Sequence, residues 1–144
     1  MDDLKAAMFV GGSGMRAQGT RIRIISENLA NANSTADVTG GEPYRRKIVT
    51  FKNYLDRDLN ADLVRVRRVT EDQSNFNLKF DPQHPAADEN GYYQTPNVTS
   101  LIETMDMLEA RRTYEANLNV VDMSKRMVQS TIDLLRYIGL RRPG

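Results

Sequence analysis

The sequence predicts an α+β fold, in which long N- and C-terminal helices pack as a coiled-coil-like bundle beside a small central β domain. Apolar residues recur every seven positions near the N-terminus, and an unbroken apolar-periodic stretch of roughly 40 residues precedes the C-terminus. Four of the five prolines and the shortest apolar alternations fall between them. The predicted domains are an N-terminal helical segment 1–35, a β-rich domain 36–96 and a long C-terminal helix 97–144 that pairs with 1–35.

The N-terminal helix is predicted from a heptad stripe formed by Met8, Met15, Ile22 and Leu29. Four glycines interrupt this stripe, and each costs about 1 kcal/mol relative to alanine in a helix interior. They are Gly11, Gly12, Gly14 and Gly19. The sequence therefore predicts a helix over Met15–Ala30 and favours a kink or a break before it.

Strands are predicted where apolar and polar residues alternate with a period near two, as in half-buried strands. The segments are Arg45–Phe51, Leu63–Val69 and Phe76–Phe80. The dipeptide Asn90-Gly91 is typical of a tight hairpin turn. We therefore predict that the chain returns through Tyr92-Tyr93 against Phe76–Phe80.

The C-terminal helix is predicted to begin at the capping-box sequence Ser100-Leu-Ile-Glu103 and to continue to Ile138, a length of roughly 60 Å. Its apolar arc is about 160° wide, which is broader than the seam of a two-stranded coiled coil. The helix should therefore contact more than one neighbour. Its predicted packing residues are Met107, Tyr114, Leu118, Val121, Val128, Ile132 and Leu135.

Composition excludes several classes of function. The 144 residues contain no cysteine and one histidine, which excludes disulfides, thiol chemistry and the usual zinc cages. His84 lies in the proline-rich segment 81–85, without any recognisable catalytic motif, and is interpreted as a loop residue. We predict no catalytic, cofactor-binding or metal-binding residue and no enzymatic activity.

Charge and hydropathy limit the partners. A net charge of +1 disfavours nucleic acid as a partner. The longest uncharged run, Ala6–Met15, is far shorter than the roughly 20 apolar residues that cross a bilayer, so no direct membrane span is expected. The acidic start of the chain shows no cleavable secretory signal.

Several segments resemble the bacterial flagellar axial family of rod, hook and hook-associated proteins. The segments 13–18 and 27–33 are similar to the family's N-terminal signature, and 114–118 with 123–135 to its C-terminal helix. The central segments 44–47, 71–74, 81–85 and 91–98 resemble those of proximal rod proteins. The motif residues are Ser13, Gly14, Gln18, Asn28, Leu29, Asn31, Asn33, Tyr114, Glu115 and Asn117.

The resemblance implies a structural subunit of the proximal rod of the flagellar basal body, which self-assembles with homologous rod proteins into a torque-transmitting drive shaft. It also implies a periplasmic location, export by the flagellar type III apparatus without a cleaved signal peptide, and no cofactor. From the residues alone, an alternative stays open. The chain could be a soluble adaptor or export chaperone whose long helix docks a partner helix, and its charge pattern suits either function.

Overall fold

The computed structural model describes residues 2–141. Two long helices and two small antiparallel sheets follow one another along the chain, which confirms the predicted α+β class. The elements are α1 (Asp2–Ala30), β1 (Lys47–Asp56), β2 (Ala61–Glu71), β3 (Asn77–Phe80), β4 (Tyr92–Thr95) and α2 (Ser100–Leu140). The bounds of the three predicted domains stay predictions, and positions 1 and 142–144 of the outer two domains lie outside the described residues.

The N-terminal helix is continuous from Asp2 to Ala30, so the predicted break before Met15 is wrong. Two of its glycines permit close approach of α2. A Cβ atom on Gly11 would lie 2.9 Å from Val121 Cγ2, and one on Gly14 would lie 2.6 Å from Asn117 Nδ2. Close helix packing therefore offsets the low helix propensity of these glycines.

The two helices run antiparallel. Near the start of α1, Gly11 meets Val121, whereas near its end Asn28 meets Glu103. Because α1 has 29 residues and α2 has 41, α2 is about 18 Å longer than its partner. The last turns of α2 therefore extend past the beginning of α1, and Leu135 is 62% exposed there.

Strands β1 and β2 form a long antiparallel hairpin, from the pair Lys47↔Glu71 to the pair Asp56↔Ala61. Both strands are longer than predicted, because charged residues within them obscure the alternation of apolar and polar positions. The hairpin packs along α1, where the Val64 N–H donates to Ser13 Oγ at 3.2 Å.

Strands β3 and β4 form a second sheet, which confirms the predicted return of Tyr92-Tyr93 after the Asn90-Gly91 turn. Gly91 has a φ of +84°, a conformation that glycine adopts without strain. Among the described elements, this sheet packs against neither helix and neither strand of the β1–β2 hairpin. Loops alone hold it to the rest of the molecule.

The start of α2 does not use the predicted capping box. Thr99 is the N-cap residue, and no side chain caps the helix there. Glu103 instead turns inward and is 1% exposed. At its other end, α2 continues through Gly139 to Leu140, two residues beyond the predicted end.

Candidate functional site

A cluster of hydrogen-bonded side chains, which we call the polar joint, connects the two helices to the strands. Its members are Asn28, Tyr44, Arg46, Asp72, Asn97 and Glu103. Asn28 of α1 is 1% exposed and both donates to the Lys47 carbonyl and accepts from the Lys47 N–H, each at 2.9 Å. The Tyr44 hydroxyl donates to the same amide oxygen at 2.8 Å. Asn28 therefore fixes the point where β1 begins.

Arg46 and Glu103 form the charged centre of the polar joint. Arg46 Nε donates to Glu103 Oε1, while its terminal nitrogens lie 3.3 Å from Asp72 Oδ2 and 3.6 Å from Asp106 Oδ2. The Asn28 amide donates to the second Glu103 oxygen at 3.2 Å. Partial burial opposes the charge of Arg46, but its bonds to Glu103 and Asp72 raise the pKa of the guanidinium above its ordinary value. The guanidinium of Arg46 is thus held in its charged form.

Asn97 and Asp72 join the β region to this centre. The Arg46 N–H donates to Asn97 Oδ1 at 2.8 Å, and the Asn97 amide donates to the carbonyls of Asp72 and Ser74 at 3.0 and 3.2 Å. The Ser74 backbone N–H, and then Arg46, lower the pKa of Asp72 below its ordinary value, although partial burial opposes them. One cluster thus connects the segments before β1, after β2 and before α2.

A second ion pair lies at the edge of the polar joint. Lys47 Nζ approaches Glu27 Oε2 at 3.1 Å, and this contact lowers the pKa of Glu27 and raises that of Lys47. Burial raises the pKa of the Tyr44 phenol nearby. Lys47, Glu27 and Tyr44 are thus each bonded to a partner within the chain.

His84 holds a loop in place. Its ring stacks on Tyr93 with centroids 3.8 Å apart, and its Nδ1 accepts from the Ala86 N–H at 3.0 Å. Nε2, which we infer carries the ring proton, lies 3.1 Å from Thr35 Oγ1. Both ring nitrogens are therefore occupied by bonds to the protein itself.

The predicted motif residues have several places in the structure. Gly14 and Asn117 meet where the helices approach most closely, and Asn28 lies in the polar joint. The Asn31 amide donates to the Glu27 carbonyl at the end of α1, and Gln18 buries an amide oxygen without a partner among the described residues. Of the others, Ser13 is buried, Leu29 and Tyr114 are half-buried, and Asn33 and Glu115 are exposed.

Sequence reasoning did not identify five members of the polar joint as site residues: Tyr44, Arg46, Asp72, Asn97 and Glu103. The first four fall within segments that resemble rod proteins, and that resemblance was the one signal that could have found them. Glu103 was interpreted as a capping residue instead.

The predicted packing residues are less buried than their stripes suggested. Met8, Met15, Ile22 and Leu29 are half-buried, whereas the fully buried positions of α1 are Gly11, Ser13, Gly14, Ala17, Ile24, Ile25 and Asn28. On α2, Met107, Tyr114, Val121, Val128 and Ile132 are half-buried, but Leu118 and Leu135 are exposed. Leu118 and Leu135 therefore leave much of their apolar surface uncovered within one chain, and the assignment of the whole set to packing stays a prediction.

A second apolar stripe runs along α2 and is left largely exposed by the rest of the chain. This outer stripe is 43–61% exposed and consists of Ile102, Met105, Val120, Met123, Met127, Leu134 and Ile138. At 100° per residue its members fall within an arc of about 60°, and the buried Ser124 and Ala110 lie about 40° and 80° beyond one edge of that arc. Glu109 and Ala116 interrupt the outer stripe between Met105 and Val120, so its longer apolar part runs from Val120 to Ile138.

The helices and the acidic side chains of residues 2–141 bear on membrane insertion and metal binding. Neither helix there is long and apolar enough to cross a membrane. In the same part of the chain, no group of three or more histidine, aspartate or glutamate side chains could hold a metal ion.

Comparison with known proteins identifies the family. The family model described as flagella basal body rod protein matches residues 8–36, and that described as flagellar basal body rod FlgEFG protein C-terminal matches 89–134. The flagellar basal-body rod protein FlgC of Agrobacterium fabrum is 50% identical over 136 residues, which cover 94% of this chain and 98% of that protein.

More distant relatives carry the same name. FlgC of Borreliella burgdorferi is 36% identical and covers 92% of this chain and 98% of its own length. FlgC of Bacillus subtilis is 36% identical, with 87% of this chain and 93% of its own length covered. The chain therefore belongs to the FlgC family of flagellar basal-body rod proteins.

Proposed function

We propose that this structural subunit of the flagellar basal-body rod assembles, through the outer stripe of α2, with further copies of itself and with homologous rod proteins in the proximal rod. In that position it would transmit torque and would reach the periplasm through the type III export apparatus without cleavage of a signal peptide. The observation that carries the proposal is the outer stripe, which α1 leaves uncovered.

α2 exposes more apolar surface than is usual for a protein that stays monomeric. Contiguous apolar patches on soluble proteins commonly mark interaction sites. Three of the seven outer-stripe residues are methionines, whose flexible side chains adapt to neighbours that differ in shape. The end of α2 that extends past α1 enlarges this surface. These features support packing against several related chains.

We also propose that no side chain of this protein performs catalysis. His84 is bound to Thr35 and Ala86, and the carboxylates of the polar joint are paired with Arg46. His84 and the carboxylates of the polar joint are thus engaged in contacts that hold the chain together.

The test combines localisation with substitution in the outer stripe. In a strain that lacks the native gene, Met123→Glu with Met127→Glu should remove the chain from isolated basal bodies and abolish swimming. Asn119→Glu, at an exposed position outside the stripe, should leave both unchanged. A double variant that assembles and swims normally would refute assembly through the outer stripe, and it would allow the adaptor function to be examined instead.

A further inference from the structure

A basic surface on the β1–β2 hairpin has no counterion within the chain. It consists of Lys52, Arg65, Arg67 and Arg68, all exposed. Among the described residues, no carboxylate lies within 4.0 Å of any of these four side chains. Lys52 and Arg65 stand directly opposite each other in the strand register, an arrangement of like charges that destabilises an isolated hairpin.

The strand register of the hairpin is irregular beside the basic surface. The register shifts between Thr50 and Phe51, so that Thr50 pairs with Arg68, Phe51 pairs with Val66, and Arg67 is an extra residue. Such a bulge leaves Arg67 without a partner in the ladder and increases the local twist. Phe51 and Val69 are also exposed, but each follows or precedes a basic residue in its strand and so lies on the other face of the hairpin.

The loop that connects β3 and β4 carries the opposite charge. Asp81, Asp88 and Glu89 are exposed in this loop, and no lysine or arginine of the described chain lies within 4.0 Å of them. Phe80 and Tyr92 lie beside this loop as an exposed edge-to-face pair with centroids 5.2 Å apart. This surface is anionic and aromatic.

The two surfaces do not meet within one chain, because β3 and β4 pack against neither β1 nor β2. Their charges are nevertheless complementary. Arginine side chains bind carboxylates and also stack on aromatic rings, so the anionic aromatic surface offers them both kinds of contact.

We propose that the basic surface of one copy docks on the acidic loop between β3 and β4 of a second copy. The contact joins two different surfaces, so it is head-to-tail and can repeat from copy to copy in a ring or a helical array. The inference rests on the proposed rod function and names the contact by which neighbouring copies recognise each other.

The test uses the absence of cysteine from the chain. A double variant, Arg68→Cys with Glu89→Cys, replaces the native protein in cells, and its isolated basal bodies are oxidised with a copper catalyst. A disulfide forms only where two Cα atoms come within about 7 Å of each other. The expected result is a ladder of covalent dimers and larger multimers on a non-reducing immunoblot, with no ladder from either single variant.

Basal bodies that contain the double variant only as monomers would overturn the proposed contact while leaving the rod function intact. Absence of native chain from basal bodies would instead refute the rod function. If Arg68→Cys prevents assembly, Lys52→Cys with Glu89→Cys provides the same readout. Arg67→Glu added to the double cysteine variant should reduce the ladder of multimers. Arg57→Glu, the same charge change at an exposed position in the hairpin turn, should leave the ladder unchanged.

Discussion

Replacement of Arg46 by methionine tests whether the polar joint stabilises the fold. Arg46 is the one cation within 4.0 Å of Glu103 among the described residues, and Glu103 is 1% exposed. Arg46→Met would leave this carboxylate with the Asn28 amide as its remaining partner. Breaking a buried ion pair costs about 3–5 kcal/mol. Because the Arg46 side chain is 23% exposed, we expect a loss of about 3 kcal/mol in the free energy of unfolding.

Urea unfolding followed by far-ultraviolet circular dichroism measures this loss. The matched control is Arg21→Met, since Arg21 is equally exposed but lies 3.6 Å or more from its carboxylate partners. That substitution should cost about 1 kcal/mol or less. Combining Arg46→Met with Glu103→Met removes the unpaired charge and should recover most of the stability. Equal losses from Arg46→Met and Arg21→Met would refute the reasoning.

Three further predictions concern helix packing, acid and assembly. Gly14→Val should lower the free energy of unfolding by about 2 kcal/mol, because the added side chain overpacks the contact with α2. Gly12 has open space around it, so Gly12→Ala should raise the free energy of unfolding by about 0.5–1 kcal/mol. Equal melting temperatures of the two variants would contradict this prediction. Lys47 lowers the pKa of Glu27 below its ordinary 4.5. The stabilisation that this ion pair gives to the fold is therefore present above pH 4.5 and is lost as the pH falls through the lowered pKa. Urea midpoints of the native chain and of Glu27→Gln should therefore converge in acid, and a constant difference would be inconsistent with the ion pair. Val121→Asp should remove the chain from basal bodies, because it places a carboxylate against Gly11, whereas Gly12→Ala should assemble; normal assembly of both would argue against this helix contact.

Features that depend on residues close together in the sequence were predictable. The turn at Asn90-Gly91 follows from the conformational freedom of adjacent residues, and the length of α2 follows from uninterrupted periodicity. The continuity of α1 was not predictable in this way. Propensity counts Gly14 as a defect, whereas the benefit of its missing side chain depends on Asn117, which lies far away in sequence.

Glu103 illustrates the same limit for the candidate site. Its position three residues after Ser100 fits a capping box, and a local pattern contains nothing against that interpretation. The carboxylate instead binds Arg46, 57 residues earlier in the chain. The choice between these partners is made by burial, because a desolvated carboxylate gains more from a guanidinium than from a solvent-exposed backbone N–H.

The polar joint has a consequence for the shear stiffness of the molecule. Apolar surfaces resist separation but allow sliding, because their attraction depends little on direction. Hydrogen bonds weaken steeply when their angle changes. A load applied to the strands reaches α2 through Arg46 and Asn97, and it reaches α1 through Asn28. Displacement of the strands parallel to the helices would misalign all of these bonds together, so the joint makes rotation of the strand region rotate the helices with it.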